Sequence, residues 1–228
     1  MKTLYVLATP IGNLEDVSFR ALKILKEADL ILAEDPLKTK ILLKKYKIET
    51  PLISYHQHVS RSKLEKIAKT LEEGKDLVLV SNAGTPGIQD PGNELIDFLY
   101  KRFKDLKTIP IPGPSALTAI ASISGFNCNS FLFLGFLPKK RGRRTLLNQI
   151  KKDFSKFPII LFESPSRLIK TLDDLYSFLG NREIVIGREL TKKFEEIKRG
   201  KIKELIDYFS KKPPKGEITL IIKNDKAA

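Results

Sequence analysis

Several short stretches carry residue types able to do chemistry. Glu34 and Asp35 stand side by side directly after the apolar run LILA (30–33). His56 and His58 stand two residues apart just after Leu52 to Ser54. TPIGNLED (9–16) follows LYVLA, and PGPS (112–115) follows TIPI. After Val80 the stretch SNAGTPGIQDPG (81–92) packs Gly84, Pro86, Gly87, Pro91 and Gly92 into nine positions. Glycines let a backbone approach a ligand closely, and prolines hold such a loop in shape. The amides of these loops, and of the helix starts that follow, can bind polar or anionic groups. KKRGRR (139–144) sets five basic side chains in six positions, a pattern suited to phosphates. Each stretch has a plainer reading. PGPS can be only a helix entry, Glu34 and Asp35 solvated loop acids, and the 81–92 stretch a surface turn. The two histidines share a face if the segment is extended. No third ligand accompanies them, so an exposed edge or a substrate contact fits them better than a metal.

The elements that must position these residues follow from periodicity. Strands are expected at 4–8, 30–33, 52–54, 77–80 and 108–111. Helices are expected at 17–27, 38–46, 61–73, 94–103 and 115–123. Alternation of this kind predicts an α/β domain with a mostly parallel five-stranded sheet. The chemically interesting stretches then all lie at carboxyl ends of strands, where open parallel sheets bind ligands. The second half reads as strands at 131–136, 159–162, 183–187 and 217–222. Helices there run from the basic stretch through Ile150, over 167–179 and over 202–209, which predicts a mixed sheet. The polar, glycine-containing SGFNCNS (124–130) marks the joint, giving domains 1–125 and 131–225.

Composition narrows the function classes. No run of the 228 residues approaches 18 apolar positions, so no membrane-spanning helix is expected. MKTLYVLA reads as a first strand rather than a secretory leader. A single cysteine, Cys128, leaves neither a disulfide framework nor a cysteine metal cluster, and a cytoplasmic protein without a metal is expected. The net charge of +14 points to a polyanionic partner such as nucleic acid; a lysine-rich surface is the plainer explanation. The G-x-G-x-x-G fingerprint, the G-x-x-x-x-G-K-[ST] phosphate loop and the G-x-S-x-G elbow are missing from the places where they would act.

A set of stretches in order along nearly the whole chain resembles the small-subunit (16S) ribosomal RNA 2′-O-ribose methyltransferase I family. That family lies within the tetrapyrrole methylase superfamily of S-adenosylmethionine enzymes. The stretches are ATPIGNLEDVSFRAL (8–22), AED (33–35), SYHQH (54–58), LVSNAGTPGIQDPG (79–92), IPGPSAL (111–117), FLFLGFLPKK (131–140), FESPSRL (162–168), RELTKKFEE (188–196) and KGE (215–217). The resemblance implies two α/β domains with the cofactor in the cleft between them, and a homodimer. It also implies methyl transfer to the ribose 2′-oxygen of a cytidine in the decoding region of 16S rRNA. By the same resemblance Pro10, Ser81, Asn82, Ala83, Gly84, Thr85, Gly113, Pro114 and Ser115 line the S-adenosylmethionine site. Phe136, Leu137, Pro138, Glu163, Ser164 and Leu190 close it from the second domain. Lys139, Lys140, Arg141, Arg143 and Arg144, with His56 and His58, are then expected to meet the rRNA or the small ribosomal subunit.

The chain departs from the family pattern at three places. Asn82 stands for an aspartate, Pro36-Leu37 for Thr-Arg, and Ser166 for a histidine. Asn82 keeps an acceptor but removes a charge that could complement the sulfonium. These changes bear on rate, affinity and substrate rather than on fold. A ribose hydroxyl must lose its proton to attack the methyl group, so a nearby base is expected. Glu34 or Asp35 is assigned that part, or the orientation of the ribose, and Lys192 is assigned stabilisation of charge growing on the oxygen. Two alternatives stand beside this reading: a tetrapyrrole-precursor methylase, for which +14 and KKRGRR have no purpose, and a non-catalytic RNA-binding homologue.

Overall fold

The computed structural model describes residues 3–224, which form two compact units, one ending at Ser115 and the other beginning at Ala116. The first unit contains strands β1 (Thr3–Leu7), β2 (Leu30–Ala33), β3 (Leu52–Ser54), β4 (Leu77–Val80) and β5 (Lys107–Ile111). Its helices are α1 (Phe19–Glu27), α2 (Pro36–Lys45), α3 (Arg61–Glu72) and α4 (Asn93–Arg102). The strands make one sheet in the order β3-β2-β4-β1-β5, and every pair is parallel. Burial on both faces explains why β4, LVLV, lacks alternation: all four residues are buried. Helices α1 and α2 send Ala21, Leu25, Leu42 and Leu43 to one core with Leu7, Ile31, Val78 and Val80. Helices α3 and α4 send Leu64, Ile67, Leu95 and Leu99 to another with Leu4, Leu32, Leu77 and Leu79.

Local chemistry sets the helix starts. The Ser18 hydroxyl accepts the Ala21 N–H at 3.1 Å before α1. Asp35 Oδ1 accepts the Leu37 N–H at 2.9 Å before α2, which opens on Pro36.

The second unit contains α5 (Ala116–Ser124), α6 (Arg143–Gln149), α7 (Leu168–Leu179) and α8 (Ile202–Lys211). Its strands are β6 (Leu132–Phe136), β7 (Ile159–Glu163), β8 (Glu183–Arg188), β9 (Glu196–Lys201) and β10 (Ile218–Ile222), ordered β6-β7-β10-β8-β9. Only the β6–β7 pair is parallel, so the sheet is mixed. Leu161, Leu172, Leu175, Ile186, Phe209 and Leu220 belong to its core.

Two sequence expectations need correction here. The joint expected at 124–130 lies instead at Ser115/Ala116. The reason is packing: Ile120 of α5 is fully buried and lies so close to Gly187 of β8 that an added Cβ there would stand 3.1 Å from it. Arg199 Nη1 also donates to the Ser124 carbonyl at 2.9 Å, tying the end of α5 to β9. The second correction is β9 itself, which sequence periodicity missed. Its alternation has the opposite sense to a core strand: Ile197 is the outward residue, 45% exposed, while Glu196 and Lys198 are half-buried. Its lysines and arginine suit an edge strand that must not pair further.

Glu196 holds this edge together. It accepts from the Tyr208 hydroxyl at 2.6 Å, Arg188 Nε at 3.0 Å and Lys212 Nζ at 3.3 Å. The Tyr208 hydrogen bond first, then Arg188 and Lys212, outweigh burial and hold the Glu196 carboxyl down at about 2, against an ordinary 4.5. A depressed folded pKa stabilises above the unfolded value and is lost as pH falls through the folded one. We therefore expect the second unit to lose on the order of 2 kcal/mol between about pH 4.5 and 2, after discount for solvent screening. In acid denaturation followed by circular dichroism, Glu196→Gln should flatten that limb. An unchanged limb would show that Glu196 does not carry it.

Candidate functional site

At the carboxyl end of the first sheet four loops meet. Thr9 and Gly84 form an isolated antiparallel bridge, with Thr9 N–H donating to the Gly84 carbonyl at 2.9 Å and Gly84 N–H returning to Thr9 at 3.0 Å. The Thr9 hydroxyl donates to the Ser81 carbonyl at 3.1 Å. Ala8 N–H donates to the Ile111 carbonyl at 3.1 Å, joining the loop after β1 to the one after β5. Gly113 fits against Ala8 so closely that a Cβ would stand 3.1 Å from the Ala8 Cβ and 3.2 Å from its carbonyl oxygen. Gly84 has φ +83°, a left-handed conformation that a side chain would strain, and lies near Ile11 and the Pro114 carbonyl. Pro10, Ser81–Thr85 and Gly113–Ser115 are thus brought to one end of the sheet. There the chain reverses direction across it, since β1 leads towards β2 and β4 crosses β1 to β5.

Two polar groups in this cluster are informative. Glu34 Oε2 accepts the Asn82 N–H at 3.0 Å, which fastens the β4 loop to the end of β2. Asn82 Oδ1 is buried and has no hydrogen-bond partner among the described residues. A buried acceptor left unpaired costs about 1–3 kcal/mol, so a bound molecule with a matching donor gains by pairing it. Asp35, the other candidate base, spends Oδ1 on the cap of α2.

The loop after β3 departs from its expected form. The strand ends at Ser54, and Gln57 and His58 form a turn with His58 at φ +61°. His56 and His58 therefore do not share a face of an extended segment, although both are exposed. Tyr55 anchors this loop in the core. Burial first, then the nearby Glu94 charge, outweighs a hydrogen bond from the Leu95 backbone and pushes its pKa up to about 12.

In the second unit the expected residues fall into three groups. The first is a buried polar network that the sequence did not reveal. Glu163 is fully buried: its Oε2 accepts from the Thr171 hydroxyl at 2.5 Å and its Oε1 from Ser164 N–H at 2.7 Å, with Arg167 Nε at 3.3 Å. Arg167 also donates to the Leu137 carbonyl. Arg143, expected at the RNA surface, is only 6% exposed and belongs to the same network. Its Nε donates to Asp174 at 2.7 Å, Nη2 to Thr171 at 2.9 Å and Nη1 to the Pro138 carbonyl at 3.2 Å. A helix start at Arg143 turns this one basic residue of the cluster inward, while Lys139, Lys140, Arg141 and Arg144 stay exposed. Leu137, Pro138, Glu163 and Ser164 are thereby gathered around two arginines, and Phe136 stays exposed.

Leu190 stands apart from that network, buried where a Cβ on Gly187 would reach within 2.7 Å of it. Lys192 forms the third group, donating to Glu189 Oε1 and Glu217 Oε2, each at 3.0 Å. Burial works to lower its pKa, but these hydrogen bonds and charges outweigh it and hold the ammonium above its ordinary value. Lys192 is thus a fixed cation. No local spacing announced the buried network, because Glu163 ends β7, Arg167 precedes α7 and Thr171 lies within it.

Comparison with known proteins fits these observations. A family model for tetrapyrrole (corrin/porphyrin) methylases matches residues 3–206. The ribosomal RNA small subunit methyltransferase I of Thermotoga maritima is 46% identical over 97% of this chain and 98% of its own length. The protein of the same name from Bacillus subtilis is 44% identical over 97% of this chain and 75% of its own. Among solved structures, a cobalt precorrin-4 methyltransferase of cobalamin biosynthesis superposes with a TM-score of 0.69 at 18% identity, covering 97% of this chain and 94% of its own. A diphthine synthase gives 0.69 at 15% identity, covering 98% and 90%. At those identities the structural likeness speaks for the fold.

Proposed function

Because this chain belongs to the ribosomal RNA small subunit methyltransferase I family of the tetrapyrrole methylases, we propose that it methylates small-subunit rRNA with S-adenosylmethionine. The acceptor in this reading is the ribose 2′-oxygen of a cytidine in the decoding region. The observation that carries it is the Asn82 side-chain carbonyl, a buried acceptor with no hydrogen-bond partner among the described residues, in a loop fastened to the ends of β1 and β2. An amine or hydroxyl of a bound cofactor would supply the donor that this oxygen lacks.

In this reading Pro10, Ser81–Thr85, Gly113–Ser115, Phe136, Leu137, Pro138, Glu163, Ser164 and Leu190 would hold the cofactor. The Glu163 carboxylate acts through the backbone, since its oxygens are engaged by Thr171 and Ser164. The bound sulfonium supplies an activated methyl group. Glu34, with Oε2 already fixed by Asn82 N–H, offers Oε1 to the ribose hydroxyl and takes its proton. Lys192 steadies negative charge on the oxygen as the proton leaves. Positioning of the two reactants contributes on the order of 7–11 kcal/mol in well-oriented cases. The exposed Lys139, Lys140, Arg141 and Arg144 meet phosphates without reading sequence. The charge of +14 favours RNA over a tetrapyrrole acceptor.

The test is radiolabelled methyl transfer to small ribosomal subunits from cells lacking this modification, and to naked rRNA, followed by nucleoside digestion. Label in 2′-O-methylcytidine is the expected result. A second readout separates an enzyme from a non-catalytic homologue. S-adenosylmethionine at about 100 times its dissociation constant should add about 2.7 kcal/mol to stability. No rise in melting temperature at any concentration, together with no label, would favour the non-catalytic reading.

A further inference from the structure

Beside Lys192 the second unit carries a pocket of ≈ 320 Å³. Its apolar wall is made of Phe194, Pro213 and Pro214. The volume lies at the lower end of the range of about 300–1,000 Å³ typical of small-ligand sites. Phe194 is 66% exposed, unusual for a phenylalanine that also lines a cavity. The two glutamates at the rim are neutralised within the protein. Glu196 is held by Arg188 and Lys212, and Glu189 by Lys192 and the Glu217 N–H. Lys215, also at the rim, forms no ion pair among the described residues, and Lys193 has only the Phe194 ring, with its ammonium 5.6 Å from the centroid. Gly216, at φ +88°, lets the 213–216 turn press onto Glu189 and shape the wall, since a Cβ there would stand 2.3 Å from that carboxyl group.

An exposed aromatic ring, two proline rings, the unpaired Lys215 at the rim and Lys193 next to Phe194 in the chain are the parts of a site for one unstacked nucleotide. Every base has a face that stacks on an aromatic ring, and the cations meet the phosphate. We propose that this pocket holds a single nucleotide of the substrate RNA, its base against Phe194 and its phosphate towards Lys193 and Lys215. The inference rests on the rRNA reading above and adds to it a demand: the strand must be single-stranded where it crosses this pocket.

The experiment uses the full chain and two fluorescent RNAs, a short single strand and a hairpin duplex of the same length. Phe194→Ala should weaken the single strand about 5- to 160-fold, the worth of one base–aromatic stack, with the salt dependence unchanged. Phe194→Tyr keeps the ring and should stay within about twofold. Duplex affinity should move less than about twofold in either variant, because a paired base has no face to offer. Lys215→Gln should lower the salt slope by about one. Unchanged single-strand affinity in Phe194→Ala, or an equal loss on the duplex, overturns the inference. Methyl transfer by the unaltered protein separates the two readings. Label in RNA with an indifferent Phe194 removes the pocket and leaves the function. Loss of single-strand binding in Phe194→Ala, with no transfer to any RNA, keeps the pocket and removes the function.

Discussion

Glu34→Gln is expected to lower methyl transfer at saturating RNA by about 10²–10⁴-fold, the usual contribution of a positioned general base, while S-adenosylmethionine still binds. The amide keeps an oxygen that can accept the Asn82 N–H, now bonded at 3.0 Å, so the loop after β4 should hold its shape. Glu34→Ala removes both functions. It should add a loss of cofactor affinity, because nothing then fastens Asn82 to the end of β2 and a misplacement near 1 Å can cost about 10²-fold. Asp35→Asn gives the contrast. Asparagine caps helices as well as aspartate does, so the Leu37 N–H stays satisfied, and neither stability nor turnover should change much. Single-turnover kinetics with isothermal titration of the cofactor separate the cases. Unchanged turnover in Glu34→Gln would remove Glu34 as the base, and a collapse in Asp35→Asn would move that part to its neighbour.

Arg143→Met is expected to destabilise the second unit by about 3–5 kcal/mol, the cost of breaking a buried ion pair from one side. At about 2–4 °C per kcal/mol for a chain of this size, the melting temperature should fall by roughly 6–20 °C. The guanidinium bonds Asp174, Thr171 and the Pro138 carbonyl at once. Its removal leaves a half-buried carboxylate unpaired and frees the turn that carries Leu137 and Pro138. Arg141→Gln and Arg144→Gln, at exposed positions of the same cluster, should stay within about 0.5 kcal/mol of the parent. Those two should instead each reduce the salt slope of RNA binding by about one, which Arg143→Met should not do. An unchanged melting temperature with a reduced slope would return Arg143 to the surface.

These two cases mark where the sequence stopped being legible. Strands such as LVLV and ITLII, and helices such as 61–72, announce themselves because burial imposes a period on residues close in the chain. Glycine and proline likewise mark the loops after β1, β4 and β5, since backbone conformation is a local matter. The placement of those loops at the carboxyl ends followed from the alternation of strand and helix alone, and the family resemblance from motifs in order along the chain.

Only the tertiary structure decided which partner each polar group found. Nothing local distinguishes Arg143 from Arg141 or Arg144. The start of α6 turns one inward because Asp174 and Thr171, about 30 residues further on, stand there to receive it. Glu34 and Asp35 are adjacent in sequence, yet one clasps Asn82 in another loop and the other caps its own helix. The edge strand β9 hid its pairing because its one apolar residue points outward, and α5 joined the second unit through Ile120 meeting Gly187. Period and turn chemistry are written within a few residues, so the sequence determined elements, order and family. Hydrogen-bond partners, charge neutralisation and burial of polar groups depend on residues far apart in the chain, and only the fold brings those together.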